Sequence, residues 1–253
     1  MIFRDDALAG KTILVTGASS GIGRQTAVDM AACGARLVLC GRNEDTLQAT
    51  HALLAGKEHL VLQADFAKLD SAHDAIVAAS REAGLLHGVF HAAGIASLRM
   101  AKLYNADHLN AVFAASVHGA SGIAKACAKR KVMDDGGSII FMSSVAGIRG
   151  RAGMGAYAAS KAAIGGMTRA LAAEFSGRQV RVNEIISGAV KTAMHDDIVK
   201  TLDESGQQAY ADLHLLGFGN AADVSAMAIF LASDAADWIT GASIAVDGGY
   251  SAT

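Results

Sequence analysis

Short apolar runs alternate with longer amphipathic segments along almost the whole chain. The short runs are rich in valine, isoleucine and leucine and favour buried strands, whereas apolar residues at three- and four-residue spacing favour helices. We expect strands near 11–16, 36–40, 58–64, 87–92, 138–143, 180–186 and 242–246. We expect helices near 22–33, 44–55, 69–83, 106–131, 155–175 and 221–233. This alternation predicts an α/β fold with a seven-stranded, doubly wound parallel sheet and helices on both faces.

Length and charge limit the classes of partner. With 253 residues and no linker-like tract, we expect one domain over residues 1–253. A net charge of -2 favours neither nucleic acid nor an anionic membrane as partner, so we expect a small molecule. No apolar run reaches the ~20 residues of a membrane span. Arg4, Asp5 and Asp6 precede any apolar stretch, unlike a secretory signal, and we expect a cytoplasmic protein.

Cysteine and histidine give no support for a metal site. The three cysteines lie in apolar contexts without CxxC or other metal-ligand spacing, and the nine histidines are scattered. We therefore expect the cysteines to be small buried side chains, and we expect no bound metal.

A glycine-rich turn follows the first predicted strand. A tight turn is possible at Gly17, and a pyrophosphate can approach the backbone closely at Gly21. The next helix can pack closely at Gly23. The phosphates would then meet unpaired N–H groups at the helix N-terminus. The spacing, Gly-x3-Gly-x-Gly, differs from the commoner Gly-x-Gly-x2-Gly, so the turn alone does not decide the fold. It predicts a Rossmann-type dinucleotide site.

A tyrosine and a lysine stand four residues apart, which places Tyr157 and Lys161 on one helix face. Outside any context, such a pair packs on the core and extends its polar ends to water. Beside a dinucleotide site, the phenol can give a proton to a carbonyl oxygen, and the ammonium lowers the pKa of the phenol. The two features together indicate an NAD(P)-dependent oxidoreductase.

Five motifs occur in one order along nearly the whole chain. They are Thr16-Gly17-x3-Gly21-Ile22-Gly23, His91-Ala92-Ala93-Gly94, Ser144, Tyr157-x3-Lys161 and Asp247-Gly248-Gly249. In this the chain resembles the short-chain dehydrogenase/reductase family, and most closely the 3-oxoacyl-carrier-protein reductase type. The resemblance implies a single-domain Rossmann fold, a nicotinamide cofactor and a homotetramer. It also implies the following cofactor-binding residues: Gly17, Ser19, Ser20, Gly21, Ile22, Gly23, Arg42, Asn43, Asp65, Phe66, Ala92, Ala93, Gly94, Tyr157, Lys161, Gly188, Val190 and Thr192.

The same resemblance assigns the candidate catalytic residues. Tyr157 would be the acid, Lys161 would hold the nicotinamide ribose and tune the phenol, and Ser144 rather than Ser143 would bind the substrate oxygen. Ser116 is the fourth candidate. It stands where the family has an asparagine in a proton relay, and it has a shorter reach and no amide.

Two further positions depart from the family pattern. Ser187 precedes Gly188 where the family has proline, although Thr192 is still placed to contact the nicotinamide amide. His91 replaces the first asparagine of Asn-Asn-Ala-Gly, while the small residues after it are kept.

The residues after the second strand bear on the choice of cofactor. Arg42 stands where an acidic residue would bind the ribose of NAD(H), and its guanidinium can bind a 2′-phosphate. We therefore predict NADP(H). NAD(H) stays possible because Glu44 and Asp45 follow closely and could reach the ribose.

The substrate is the least determined feature. Residues 193–217 mix apolar and charged positions and are typical of a helical lid. Arg149 and Arg151 could receive an anion, but surface or subunit contacts are the favoured interpretation. We predict a reductase of a 3-oxoacyl thioester or similar small carbonyl, either free or carrier-bound. The alternatives are an NAD-dependent sugar or polyol dehydrogenase and, because of Ser116 and Ser187, a weakly active NADP(H)-binding regulatory or scaffold protein.

Overall fold

Seven parallel strands form one sheet in the order β3-β2-β1-β4-β5-β6-β7 in this computed structural model, which describes residues 3–252. The strands are β1 Thr12–Thr16, β2 Arg36–Gly41, β3 Leu60–Gln63, β4 Leu86–His91, β5 Met133–Ser144, β6 Arg181–Ser187 and β7 Ser243–Val246. The strand order reverses between β1 and β4, and in such sheets ligands bind beyond the carboxyl ends of the strands at that point. The predicted fold class is confirmed.

Nine α-helices connect and flank the strands within the described range. They are α1 Gly21–Ala32, α2 Glu44–His51, α3 Leu69–Ala83, α4 Ala106–Phe113, α5 Gly119–Cys127, α6 Gly155–Phe175, α7 Ala193–Val199, α8 Glu204–Asp212 and α9 Ala221–Ala232. The continuous helix predicted over 106–131 is wrong in one respect. A π-helical turn at Ala114–His118 separates α4 from α5, and α5 ends at Cys127.

A separate apolar core covers each face of the sheet. Buried side chains of α3, α5 and α6 pack on one face, and those of α1, α2 and α9 pack on the other. The alternation along β1 shows the division, because Leu14 belongs to the first core and Ile13 and Val15 to the second. All three cysteines are buried in these cores, as the sequence predicts.

Residues 3–252 lack two kinds of feature. None of the helices between residues 3 and 252 is long and apolar enough to cross a membrane. In the same range, no cluster of three or more His, Cys, Asp or Glu side chains could hold a metal ion.

Candidate active site

The glycine turn after β1 is built against the loop that follows β4. Gly17 has φ +66°, and a Cβ there would lie 2.9 Å from the Ala93 nitrogen. At Gly23 a Cβ would lie 2.3 Å from the carbonyl oxygen of Gly17. Only glycine fits such approaches. The side chain of Ser20, the N-cap of α1, makes no capping hydrogen bond, so the first amides of the helix are available to a phosphate. This cradle fits a dinucleotide pyrophosphate.

Two residues that sequence reasoning missed brace the turn. Arg24 donates from Nε to Thr50 Oγ1 at 3.1 Å and from Nη2 to the carbonyl oxygen of Ser19. Thr50 in turn donates to the carbonyl oxygen of Ala18 at 2.9 Å. Arg24 and Thr50 lie on different helices and in no common motif, so no short-range sequence signal indicated the brace.

A cavity of about 330 Å³ extends along the turn and the carboxyl ends of the strands. Most predicted cofactor-binding residues line it: Gly17, Ser19, Ser20, Gly21, Ile22, Gly23, Arg42, Asp65, Phe66, Ala92, Ala93, Gly94, Tyr157, Lys161 and Thr192. Three predicted residues lie elsewhere. Asn43 caps α2 by accepting a hydrogen bond from the Thr46 nitrogen at 3.0 Å, and Gly188 and Val190 line a smaller neighbouring cavity.

The end of the cavity beside β2 carries an unopposed positive charge. Arg42 is exposed, and no carboxylate in the described part of the chain lies within ion-pair distance of its guanidinium. Glu44 and Asp45 stand in the first turn of α2 and do not line the cavity. Asp65 does line it, and its Oδ1 accepts a hydrogen bond from the Ala67 nitrogen at 3.0 Å.

The three principal candidate catalytic residues meet at the other end. Tyr157 lines both cavities and shares a side-chain hydrogen bond with Ser144. Lys161 is buried, and its Nζ donates a hydrogen bond to the carbonyl oxygen of Met142 at 3.0 Å. The same Nζ lies 5.8 Å from the ring centroid of Tyr157. Ser143 instead donates to the Lys161 carbonyl oxygen at 3.1 Å and anchors α6. Ser144 therefore stays the candidate that binds the substrate oxygen.

Burial governs the ionisation of this group. It lowers the pKa of Lys161 to about 8, although the carboxylate of Glu184 opposes the change. Burial also raises the pKa of Tyr157, with the Ser144 hydrogen bond acting in the opposite direction and Tyr210 adding to the rise. The expected lowering of the Tyr157 pKa by Lys161 is therefore not seen in the protein alone, because desolvation of the phenolate outweighs the favourable interactions.

Ser116 does not join this group. It lies in the π-helical turn, where it is buried, and its Oγ has no hydrogen-bond partner in the described structure. The neighbouring Ala115 lines the larger cavity, whereas Ser116 lines neither cavity. The sequence pattern did not predict this position, because the π turn changes which side of the helix each residue occupies.

His91 takes a bracing position at the end of β4. Its Nδ1 is hydrogen-bonded to Thr16 Oγ1 at 2.7 Å, and the same oxygen accepts from the Ala93 nitrogen at 3.2 Å. Burial, together with the charge of Lys161, lowers the pKa of His91 to about 3. The imidazole is therefore neutral near pH 7, and it ties β1 to the loop that forms the cavity wall.

A smaller cavity of about 110 Å³ adjoins the first at Tyr157. Ser144, Gly188 and Val190 form part of its wall, and His195 and Tyr210 reach it from α7 and α8. These two helices occupy much of the segment 193–217 in which we predicted a lid.

Known proteins similar to this chain identify its family. A family model described as "Enoyl-(Acyl carrier protein) reductase" matches residues 17–251. The chain belongs to the short-chain dehydrogenase/reductase family. It is 35% identical to D-threitol dehydrogenase of Mycolicibacterium smegmatis, over 97% of this chain and 95% of the relative. It is 34% identical to carbonyl reductase family member 4 of Danio rerio, over 93% and 96% of the two chains. A solved short-chain type dehydrogenase/reductase from Mycobacterium ulcerans matches with TM-score 0.89 at 33% identity, over 96% and 90% of the two chains.

Membership in this short-chain dehydrogenase/reductase family makes the chain an oxidoreductase that acts on alcohols or ketones with a nicotinamide cofactor. The residues present fit that cofactor. The glycine cradle suits the pyrophosphate, and Lys161 and Tyr157 line the same cavity. Tyr157 also faces the smaller cavity, which leaves room for a second molecule beside its hydroxyl.

Proposed function

We propose that this protein is an NADP(H)-dependent oxidoreductase that reduces a 3-oxoacyl thioester or a comparable small ketone to a secondary alcohol, with the reverse reaction also available. The supporting observation is the position of Tyr157, which lines the cofactor-sized cavity and the smaller cavity and shares a hydrogen bond with Ser144. One phenol therefore faces the places where cofactor and substrate would meet.

The side chains divide the work of proton transfer. The hydroxyls of Tyr157 and Ser144 both donate to the carbonyl oxygen of the substrate, and Tyr157 gives up its proton as that oxygen becomes an alcohol. When bound, the nicotinamide supplies the hydride to the carbonyl carbon. Lys161 bears a positive charge below its pKa of about 8 and so stabilises the phenolate that remains. Its hydrogen bond to the Met142 carbonyl oxygen holds it in place.

Arg42 supports the choice of NADP(H). An exposed guanidinium at the end of β2, without a carboxylate partner, suits the 2′-phosphate that distinguishes NADPH from NADH. Hydrogen bonds to charged groups are worth about 1.5–3 kcal/mol, so Arg42→Ala should weaken NADPH binding roughly 10- to 150-fold. NADH binding should change little. Equal losses for both cofactors would contradict the assignment.

The D-threitol dehydrogenase among the relatives favours a second candidate, oxidation of a polyol with NAD. This reading predicts tighter binding of NADH than of NADPH and reduction of NAD in the presence of threitol. The dissociation constants of both cofactors, measured on the unaltered protein, distinguish the two candidates.

The decisive experiment combines cofactor binding with turnover of a ketone panel that includes a 3-oxoacyl thioester. Tyr157→Phe should reduce kcat roughly 100- to 10,000-fold and leave the NADPH dissociation constant nearly unchanged. Undiminished turnover in that variant would refute the mechanism. Tight NADPH binding without turnover of any ketone would instead favour a regulatory or scaffold role, and Ser116→Asn would then be tested for gain of activity.

We also propose a homotetramer, on the family resemblance. Trp238 is fully exposed in the single chain and Leu216 is 87% exposed, which leaves apolar surface that a subunit contact would cover. Light scattering should give four times the chain mass of 25.8 kDa. A monomeric mass would contradict the proposal.

A further inference from the structure

The smaller cavity beside Tyr157 has an unbalanced charge. Arg149 and Arg151 line it, and no aspartate or glutamate is among its described lining residues. Arg149 is exposed at the rim, whereas Arg151 is half-buried. The structure places Arg151 in the cavity wall, whereas the surface or subunit contacts expected for the two arginines stay a prediction.

Arg151 is held in place without an anionic partner. Its guanidinium carbon lies 4.2 Å from the ring centroid of Tyr210, in a cation–π arrangement. Its Nη1 atom is buried and has no hydrogen-bond partner in the described chain, and no carboxylate there lies within ion-pair distance. The guanidinium shares a side-chain hydrogen bond with Tyr210, and the buried Nη1 is the donor that remains for an anionic ligand.

The Tyr210 ring, over which the Arg151 guanidinium lies, is packed against other aromatic side chains. The Tyr210 ring is 5.5 Å from the ring of Phe218 and 5.4 Å from that of His214, measured between centroids. His214 is fixed from both sides, by a 3.1 Å hydrogen bond from the Ala189 nitrogen and a 3.1 Å contact between its Nδ1 and the Tyr210 carbonyl oxygen. Arg151 is therefore positioned before any substrate arrives.

A second group in the same wall also lacks a full set of partners. His195 is buried and lies in a stacked arrangement with Tyr210, at 6.1 Å between centroids. Its Nδ1 is 3.6 Å from Asp196, outside hydrogen-bond distance, and its Nε2 has no partner among residues 3–252. An anionic oxygen in the cavity could accept hydrogen bonds from both Arg151 and His195.

We propose that the substrate is an oxo acid or hydroxy acid whose own anionic group is bound by Arg151 while Tyr157 acts on its carbonyl or hydroxyl oxygen. This inference rests on the proposed function and narrows its substrate class. Arg151 and Tyr157 line one cavity of only about 110 Å³, so the anion and the reacting carbon belong to the same small molecule. The phosphate of a carrier arm lies many bonds from the thioester carbonyl and would extend outside this cavity.

The test compares acetoacetate, which is anionic, with its neutral methyl ester, with NADPH as reductant. We expect a higher kcat/KM for acetoacetate. Arg151→Gln should lower kcat/KM for acetoacetate roughly 10- to 150-fold, mainly through KM, and change the value for the ester little. Arg81→Gln is the matched control, because that side chain is exposed on α3 and lines neither cavity, and it should affect both compounds only slightly. A third compound, acetoacetyl-CoA, tests whether the bound anion is a phosphate of a thioester carrier. In that case Arg149→Gln would lower kcat/KM for acetoacetyl-CoA, and Arg151→Gln would not.

Binding gives a readout that does not depend on turnover. Calorimetry with the NADP⁺ complex should show acetoacetate binding that Arg151→Gln weakens by the same factor, while NADP⁺ binding by the variant confirms that it is folded. Turnover of ketones without any preference for the anion, or equal losses for acid and ester in Arg151→Gln, would overturn this inference and leave the proposed function standing. Arg151-dependent acetoacetate binding without turnover would instead count against the proposed function alone.

Discussion

The buried imidazole of His91 makes the free energy of unfolding depend on pH, and the size of this effect can be calculated. Burial lowers the pKa of its imidazole from 6.5 to about 3. The unfolded chain therefore takes up a proton at His91 before the folded chain does as the pH falls. The stability associated with a neutral His91 is present above about pH 6.5 and is lost progressively as the pH falls from there toward 3.

The expected magnitude follows from the distance between the pH and the unfolded pKa. At pH 5 the unfolded imidazole lies about 1.5 units below its pKa of 6.5, which corresponds to a loss of about 2 kcal/mol relative to pH 7. His91→Asn removes this titration. The substitution also removes ring contacts with Phe66 and Phe141, whose centroids lie 6.3 and 6.2 Å from the imidazole. That packing loss is the same at both pH values, so it cancels from the difference.

Urea unfolding at pH 7 and pH 5 provides the assay. The unaltered protein should lose about 2 kcal/mol more between these pH values than His91→Asn does. His118→Asn serves as the control because that side chain is exposed and solvated in the folded protein. Identical losses in the unaltered protein and in His91→Asn would refute the reasoning, since they would show that the folded protein protonates His91 as readily as the unfolded chain.

Two further predictions concern the cofactor cavity. Gly23→Ala places a methyl group 2.3 Å from the Gly17 carbonyl oxygen, so we expect about 1–3 kcal/mol of destabilisation and weaker NADPH binding, measured by thermal unfolding with and without NADPH. Gly150→Ala, where nothing lies within 4 Å, should behave as the unaltered protein, and equal behaviour of the two variants would contradict the steric argument. Glu184→Gln should move the alkaline limb of the kcat/KM profile to lower pH, because the Glu184 carboxylate raises the pKa of Lys161, whose charge is lost as the pH rises through about 8. An unshifted limb would show that Lys161 does not control that limb.

The sheet and most helices could be predicted because their signals are local. Each strand contains a short apolar run, and the residues predicted as helix at 155–175 form α6. The break at Ala114–His118 depends instead on packing between distant segments. A Cβ on Gly119 would lie 2.6 Å from the Phe66 carbonyl oxygen, and one on Gly122 would lie 2.4 Å from that of Leu69. Sequence periodicity contains no information about such contacts, and so it predicted one continuous helix.

The cofactor side of the site was predictable for a similar reason. The glycine turn and the Tyr157–Lys161 pair are each contained in a few consecutive residues, and each predicts its own geometry. Asn43 shows the limit of this reasoning. It is adjacent to Arg42 in sequence, but its side chain is used to cap α2, and only Arg42 lines the cavity.

No short sequence motif predicts the lining of the smaller cavity, where the substrate would bind. Arg151 enters the smaller cavity because Tyr210, from α8, lies beneath its guanidinium, and Tyr210 is held in turn by rings from the segment that follows α8. The charge at this wall is therefore set by contacts between the loop that precedes α6 and the segment formed by α8 and the residues after it. Residues of this segment can change while Ser144, Tyr157 and Lys161 keep their positions, since those three residues belong to β5 and α6. Relatives that share the catalytic scaffold can thus differ in the ligand they accept, and the wall of the smaller cavity, more than overall identity, indicates the substrate of this protein.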